Sequence, residues 1–174
     1  MRRIRYAVAM SLDGYLAGPN GEADWIITNP EIDFGALFRE FDTFLVGRRT
    51  FEAMAHGGGG GGELPGTKTY VFSRTLRQSD HSKVTIVDEV SKERVEAIRA
   101  AAKKDIWLFG GGSLFRSLAE AGLVDTVEVS IIPVLLGEGI PLVPPPALQT
   151  KLELVDHKIY KATGIVSLQY AVKK

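Results

Sequence analysis

The chain has no cysteine among its 174 residues. That removes thiol nucleophiles, thiolate metal sites and disulfides together, and leaves no direct sign of the redox compartment. It carries no net charge either. Lysine plus arginine and aspartate plus glutamate stand at 21 each, so no global basic field recruits nucleic acid or an anionic membrane, and a small-molecule partner is expected. No window approaches the ~18 apolar residues of a membrane span. The apolar stretch from Tyr6 to Met10 is cut by Ser11 and Asp13, too short for a secretory signal, so a cytoplasmic protein is the expectation. His56, His81 and His157 fall at no metal-ligand spacing, and no structural or catalytic metal is expected.

What remains, 45% hydrophobic and 24% charged, is ordinary globular usage, and the length suits one domain over residues 1–174. Glycine is plentiful, 19 in all. Three stand together in DIWLFGGGSLFRSLAEAGL at 105–123. Ile106 to Phe109 reads as a buried strand, Gly110, Gly111 and Gly112 turn the backbone, and Ser113 opens an amphipathic helix with Leu114, Phe115, Leu118 and Ala119 on its buried side. Such a junction either cradles a phosphate, with free helical N–H groups aimed at the anion, or is a tight turn that needs positive φ. A second tract, glycines 57–62, invites a phosphate-loop reading that fails on spacing. Counted from Gly61 to Gly66, Thr67 stands where the lysine belongs, Pro65 lies inside the cradle, and the residues after Lys68 read as strand, not helix. The tract reads as a flexible loop.

Ile4–Met10, Thr43–Val46, Tyr70–Ser73, Val84–Val87 and Val124–Ile132 read as further strands. Asn29-Pro30, with Glu31 and Asp33 in the first turn, signals a helix to about Glu40, whose Phe34, Leu37, Phe38 and Phe41 are spaced to pack on a sheet. Gly47 ends a strand and Arg48-Arg49-Thr50 begins a helix, a second strand–glycine–helix junction. Ser91 can cap a helix striped by Val95, Ile98 and Ala102, with Lys103 and Lys104 placed for its C-terminal dipole. Residues 133–146 are too rich in proline and glycine to be regular, and a hairpin with a bulge near residue 154 and a turn at Lys161–Gly164 closes the chain. Together these predict an α/β fold of three layers: a mainly parallel central sheet with helices on both faces and a C-terminal antiparallel hairpin. Ligands of such sheets sit beyond the carboxyl ends of the strands, where the 11–24 loop, Gly47, Ser73 and the triple glycine are expected.

The segments SLDGYLAGPNGEADW at 11–25, DTFLVGRRTFE at 42–52, YVFSRTL at 70–76, DIWLFGGGSLFRSL at 105–118 and VEVSIIPVLLGEGIPLV at 127–143 resemble, in that order, the dihydrofolate reductase superfamily. Within it they are similar to the reductase-like C-terminal half of the riboflavin-biosynthesis deaminase-reductase, over nearly the whole chain. A Rossmann reading fits less well: Gly110 and Gly112 satisfy the first two glycines of G-x-G-x-x-G, but Phe115 fills the third and no acid stands near Ile132 for the ribose.

The resemblance implies an NADPH-dependent oxidoreductase that passes a hydride to a small heterocyclic or carbonyl substrate, akin to dihydrofolate reductase or 5-amino-6-(5-phosphoribosylamino)uracil reductase. It implies that Ala9, Leu16 and Ala17 pack about the nicotinamide, and that Gly47, Arg48, Arg49 and Thr50 cradle the pyrophosphate and adenosine side. Ser73 and Arg74 would hold the adenosine ribose and its phosphate. Gly110, Gly111, Gly112, Ser113 and Leu114 would cover the other side of the pyrophosphate, with Phe109 between cofactor and substrate. Read alone, Arg48 and Arg74 are either solvated surface charges or a grip on the phosphate that distinguishes NADP from NAD.

In these reductases a carboxylate after the tryptophan-containing loop assists protonation. Here Trp25 and Pro30 are followed by Glu31 and Asp33, a spacing that departs by a residue or more. Asp33 is the candidate donor, the alternative being that both acids favour a helix N-terminus. Asp13 is a second acid, unless Asp13-Gly14 simply builds a turn. Relatives of this kind also imply a homodimer. The competing functional class is a non-catalytic nucleotide- or dinucleotide-binding protein using the same cleft.

Overall fold

Alternate residues of the strand Asp105–Gly110 serve two different cores. Ile106 and Leu108 belong to one apolar cluster, while Trp107 and Phe109 pack in another with Phe41, Phe44 and Val46. A strand buried on both faces lies in the middle of a layered sheet. The computed structural model describes residues 2–56 and 66–173, and the loop expected at glycines 57–62 lies outside the described residues.

The elements run β1 (Ile4–Ser11), β2 (Tyr15–Ala17), α1 (Phe34–Arg39), β3 (Phe41–Gly47), α2 (Arg48–His56), β4 (Lys68–Phe72), β5 (Thr85–Val87), α3 (Lys92–Ala101), β6 (Asp105–Gly110), α4 (Gly112–Glu120), β7 (Thr126–Ile132), β8 (Ile140–Pro141), β9 (Leu152–Tyr160) and β10 (Ile165–Val172). Eight strands form the main sheet in the order β5-β4-β3-β6-β1-β7-β10-β9. The first six are mutually parallel, and β10 and β9 add on antiparallel. This is the α/β architecture expected from the sequence. The hairpin bulge falls where the parity of the apolar residues changes, with Val155 unopposed between Leu154 and Asp156.

Helices α3 and α4 cover one face, where Val95, Ile98, Leu114, Phe115 and Leu118 close over Ile4, Tyr6, Ile106 and Leu108. Phe115 stacks on Tyr6 at 3.9 Å and 8°. The position of the missing third glycine is thus taken by a core aromatic. Ser91 caps α3 by accepting from the N–H of Arg94 at 3.3 Å, as expected. Lys104, however, serves a different helix: its Nζ donates to the carbonyl of Arg39 at the end of α1, at 2.7 Å.

The helix expected from Pro30 starts four residues late. Asn29, 2% exposed, accepts from the N–H of Glu31 at 2.9 Å and donates to Thr163 at 3.1 Å, which holds 29–32 in a turn. Asp33 then becomes the N-cap of α1, accepting from the N–H of Ala36 at 2.8 Å. The helix meets the sheet only by an edge: none of its six residues is fully buried, but Leu37 packs against the cluster of Phe41, Phe44, Val46 and Trp107, and Phe38 lies 5.3 Å from the Trp107 ring. Part of the irregular stretch 133–146 is ordered by distant pairing: β8 joins β2, with Tyr15 opposite Pro141 and Ala17 opposite Ile140.

This clip presses on the start of α4. A Cβ on Gly112 would stand 2.7 Å from the carbonyl oxygen of Pro141 and 2.8 Å from that of Leu142. Both are backbone atoms, so no side chain can swing away. Gly112→Ala is therefore expected to lower stability by about 1–3 kcal/mol, read as a lower urea midpoint with unchanged slope. An unchanged midpoint would show that the 140–144 segment yields freely.

Candidate active site

Strands β3 and β6 are parallel neighbours, with Val46 beside Gly110. Each runs through glycine into a helix, so α2 and α4 begin at the same edge of the sheet. The junctions approach closely. A Cβ on Gly47 would lie 3.4 Å from the N of Gly111, and one on Gly111 would lie 3.2 Å from Thr50 Oγ1. Gly110 has φ +138°, a region that favours glycine, and the Gly110–Gly111 peptide is cis. Gly111 is the N-cap of α4 and offers no side-chain bond, which leaves first-turn N–H groups for another acceptor.

A cleft of about 1990 Å³ opens beyond this edge. Every candidate cofactor residue lines it: Ala9 from β1, Leu16 and Ala17 from β2, Gly47 to Thr50, Ser73 and Arg74 after β4, and Phe109 to Leu114. Asp33 does not. It is exposed, and one of its carboxylate oxygens is engaged in the cap of α1.

The β3–β4 end of the cleft holds its arginines. Ser73 Oγ accepts from the N–H groups of Thr75 and Leu76 at 3.2 and 3.0 Å, turning the chain so that Arg74 stands exposed on the rim. Arg74 has no hydrogen-bond or ion-pair partner among the described residues. Arg48 is engaged with Glu52 one turn on, at 3.1 Å. Asp88 and Glu89 line the same end.

The other end is apolar. Ile26, Ile27, Phe34 and Phe38 line it with exposures of 37%, 42%, 46% and 36%. Behind them Phe38 lies 5.3 Å from Trp107, and Trp107 5.4 Å from Phe109. Trp107 Nε1 donates to the carbonyl of Ala7 at 2.8 Å, so the indole presents only ring. The polar groups here are few. Ser130 and Ser167, paired across β7 and β10, have hydroxyls 3.0 Å apart. Tyr160 is 8% exposed, and its hydroxyl has no partner among the described residues. Lys158 sits over the Tyr160 ring, 4.5 Å from its centroid.

Deeper, Arg5 is held by Glu128 at 2.7 and 2.8 Å and by Glu40. Burial alone would lower the Arg5 pKa, but the hydrogen bonds and charges of Glu128 and Glu40 outweigh it and raise it, so this guanidinium is permanently charged and occupied. Asp13 is likewise occupied. Its carboxylate accepts from Ser11 Oγ at 2.6 Å and from the N–H of Gly137 at 2.7 Å, tying the 11–17 loop to the 133–139 loop. The Ser11 hydroxyl, then that N–H, hold its pKa below the usual carboxylate range. The turn reading of Asp13 is the one its contacts support.

Phe34 and Phe38 were readable as core and are instead cleft wall. Ser130, Ser167 and Tyr160 carry no motif in the sequence. Only the register of β7, β9 and β10 brings them to the cleft.

Residues 2–166 match the family of the RibD C-terminal domain. The uncharacterized protein YyaP of Bacillus subtilis is 36% identical over 97% of this chain and 94% of its own. A structure from Shewanella sp. PV-4 superposes with a TM-score of 0.82 at 23% identity over the whole of both chains. Dihydrofolate reductase from Enterococcus faecalis, solved with NADP(H), superposes with a TM-score of 0.71 at 19% identity over 99% of this chain and 97% of that one. The dihydrofolate reductase-like fold expected from the five motifs is thus the fold of this chain, which belongs to the RibD C-terminal domain family.

Proposed function

We propose that the protein is an NADPH-dependent oxidoreductase that passes a hydride to a small heterocyclic or carbonyl substrate. The observation that carries this reading is the meeting of two strand–glycine–helix junctions, Gly47–Thr50 and Gly110–Leu114, at one edge of the sheet. Two helix starts, bare of Cβ atoms where they face each other, suit the two phosphates of a dinucleotide. The residues present also fit the rest of that group: Arg74, without a partner among the described residues, is a cation at the rim for a ribose phosphate, and Ala9, Leu16 and Phe109 offer an apolar seat for a flat ring.

When bound, NADPH supplies the hydride. The chain supplies position: the junction backbones hold the phosphates, Phe109 separates the two ends of the cleft, and the apolar wall excludes water from the reacting carbon. The Enterococcus relative's NADP(H) supports the choice of cofactor. NADPH is expected to raise the melting temperature more than NADH does, and Arg74→Ala to weaken NADPH at least about tenfold more than NADH, a loss of one charge-assisted contact. Arg48→Ala costs less, because Glu52 already occupies that side chain. Thermal shift and fluorescence titration read both, and equal losses for the two cofactors would remove Arg74 from the phosphate.

Asp33 is the proposed proton donor; it stands outside the cleft lining, between Ile32 and Phe34, which do line it. Its capping bond uses one oxygen, and the other accepts no hydrogen bond among the described residues. The capping role also favours the second reading, a dinucleotide-binding protein without turnover. Asn caps as well as Asp, so Asp33→Asn keeps the helix while removing the acid. Turnover is expected to fall about 10²-fold or more with the melting temperature unchanged. Unchanged turnover rejects Asp33 as donor. NADPH binding in the wild type without oxidation by dihydrofolate, a ribosylaminopyrimidine or simple ketones favours the second reading.

A homodimer completes the proposal. Edge strand β9 exposes Leu152, Leu154, Val155 and Ile159, and a long apolar edge in a soluble protein calls for cover. Light scattering is expected to give twice the 18.9 kDa chain mass. The single-chain mass at micromolar concentration would contradict it.

A further inference from the structure

The cleft is chemically divided. Its three arginines, Arg48, Arg49 and Arg74, all lie at the β3–β4 end. At the α1 end, Lys158 is the only lysine or arginine among the described lining residues, and Asp156 from the same strand lines that end with it. Arg5, beneath this end, is taken by Glu128 and Glu40. Residues 57–65, GGGGGGELP, contain neither lysine nor arginine. A phosphate monoester brings close to two negative charges and three strong acceptors, and burying it needs several cations or N–H donors. None converge here.

What does converge is ring and hydrocarbon. Phe34 and Phe38 stand on α1 and line the cleft, with Phe38 packed against the buried Trp107 ring at 5.3 Å. Leaving Ile26, Ile27, Phe34 and Phe38 exposed at one spot is costly unless something flat and apolar covers them. The Ser130–Ser167 hydroxyl pair and the hydroxyl of the mostly buried Tyr160, which has no partner among the described residues, supply a few neutral hydrogen bonds at the margin.

From this we infer that the site takes a planar, uncharged, unphosphorylated substrate, laid against Phe34 and Phe38 and held at its edge by neutral hydroxyls. The inference rests on the reductase reading only for its place beside the cofactor. It separates this chain's substrate from a phosphoribosyl compound.

A matched pair of probes tests it: 1-naphthol and 1-naphthyl phosphate, which share a ring and differ in the phosphate. Each is titrated calorimetrically into the wild type and into Phe34→Ala, with and without saturating NADP+. Binding that Phe34→Ala weakens is binding at this end, and Phe34, half exposed, is removable without unfolding the chain. The expected result is that 1-naphthol binds about tenfold or more tighter than 1-naphthyl phosphate, and that Phe34→Ala weakens 1-naphthol severalfold while leaving NADP+ affinity unchanged. Phe34-dependent binding of the phosphate as tight as that of 1-naphthol overturns the inference, and so does 1-naphthol binding that is absent or indifferent to Phe34→Ala. If NADP+ fails to bind while the order of the probes persists, the cofactor reading falls and the substrate inference stands.

Discussion

The structure depends on one close approach, that of the backbone at Gly47 to the backbone at Gly110 and Gly111. Adjacent parallel strands bring their carboxyl ends side by side, but ordinary residues there would fill the gap with side chains. A Cβ at Gly47 would already touch Gly111 N at 3.4 Å. With glycine on both sides the main chains face each other directly, and the first turns of α2 and α4 open on the same space. The rest of the rim follows from strand order. Because β4 lies outside β3 and β1 outside β6, Ser73-Arg74 falls on one flank of the junction and Ala9 on the other.

That order also divides the cleft by chemistry. The β3–β4 flank carries guanidinium groups near an anion-ready backbone, whereas the other flank carries the aromatic rings of α1 and the hydroxyls of β7 and β10. The charged groups of the second flank are mostly spoken for. Arg5 and Glu128 neutralise each other, Asp13 clamps two loops, and Trp107 turns its N–H inward to Ala7. A polar, multiply charged cofactor and a flat neutral substrate would each find matching surroundings at its own end, with Phe109 at the border.

Much of this was legible in the sequence, and what was missed has a common cause. Both glycine junctions, the Ser91 cap, the bulge near residue 154 and the parallel order of layers rest on local patterns that the chain obeys. The start of α1 does not, because Asn29 is captured by Thr163, a residue far along the chain that no local signal reveals. Phe34 and Phe38 obey helical spacing, but spacing cannot say whether an apolar stripe meets a sheet or a cleft. Ser130, Ser167 and Tyr160 meet only through the register of the C-terminal strands, and β8 exists only because β2 pairs with it.

In the proposed function the two glycine junctions grip a dinucleotide between them. Amide chemical shifts of the 15N-labelled protein, followed during titration with NADPH, test it most directly. The largest shifts are expected on the N–H groups of Gly47 to Thr50 and of Gly111 to Leu114 together. Shifts confined to one junction, or centred elsewhere on the sheet, would contradict it.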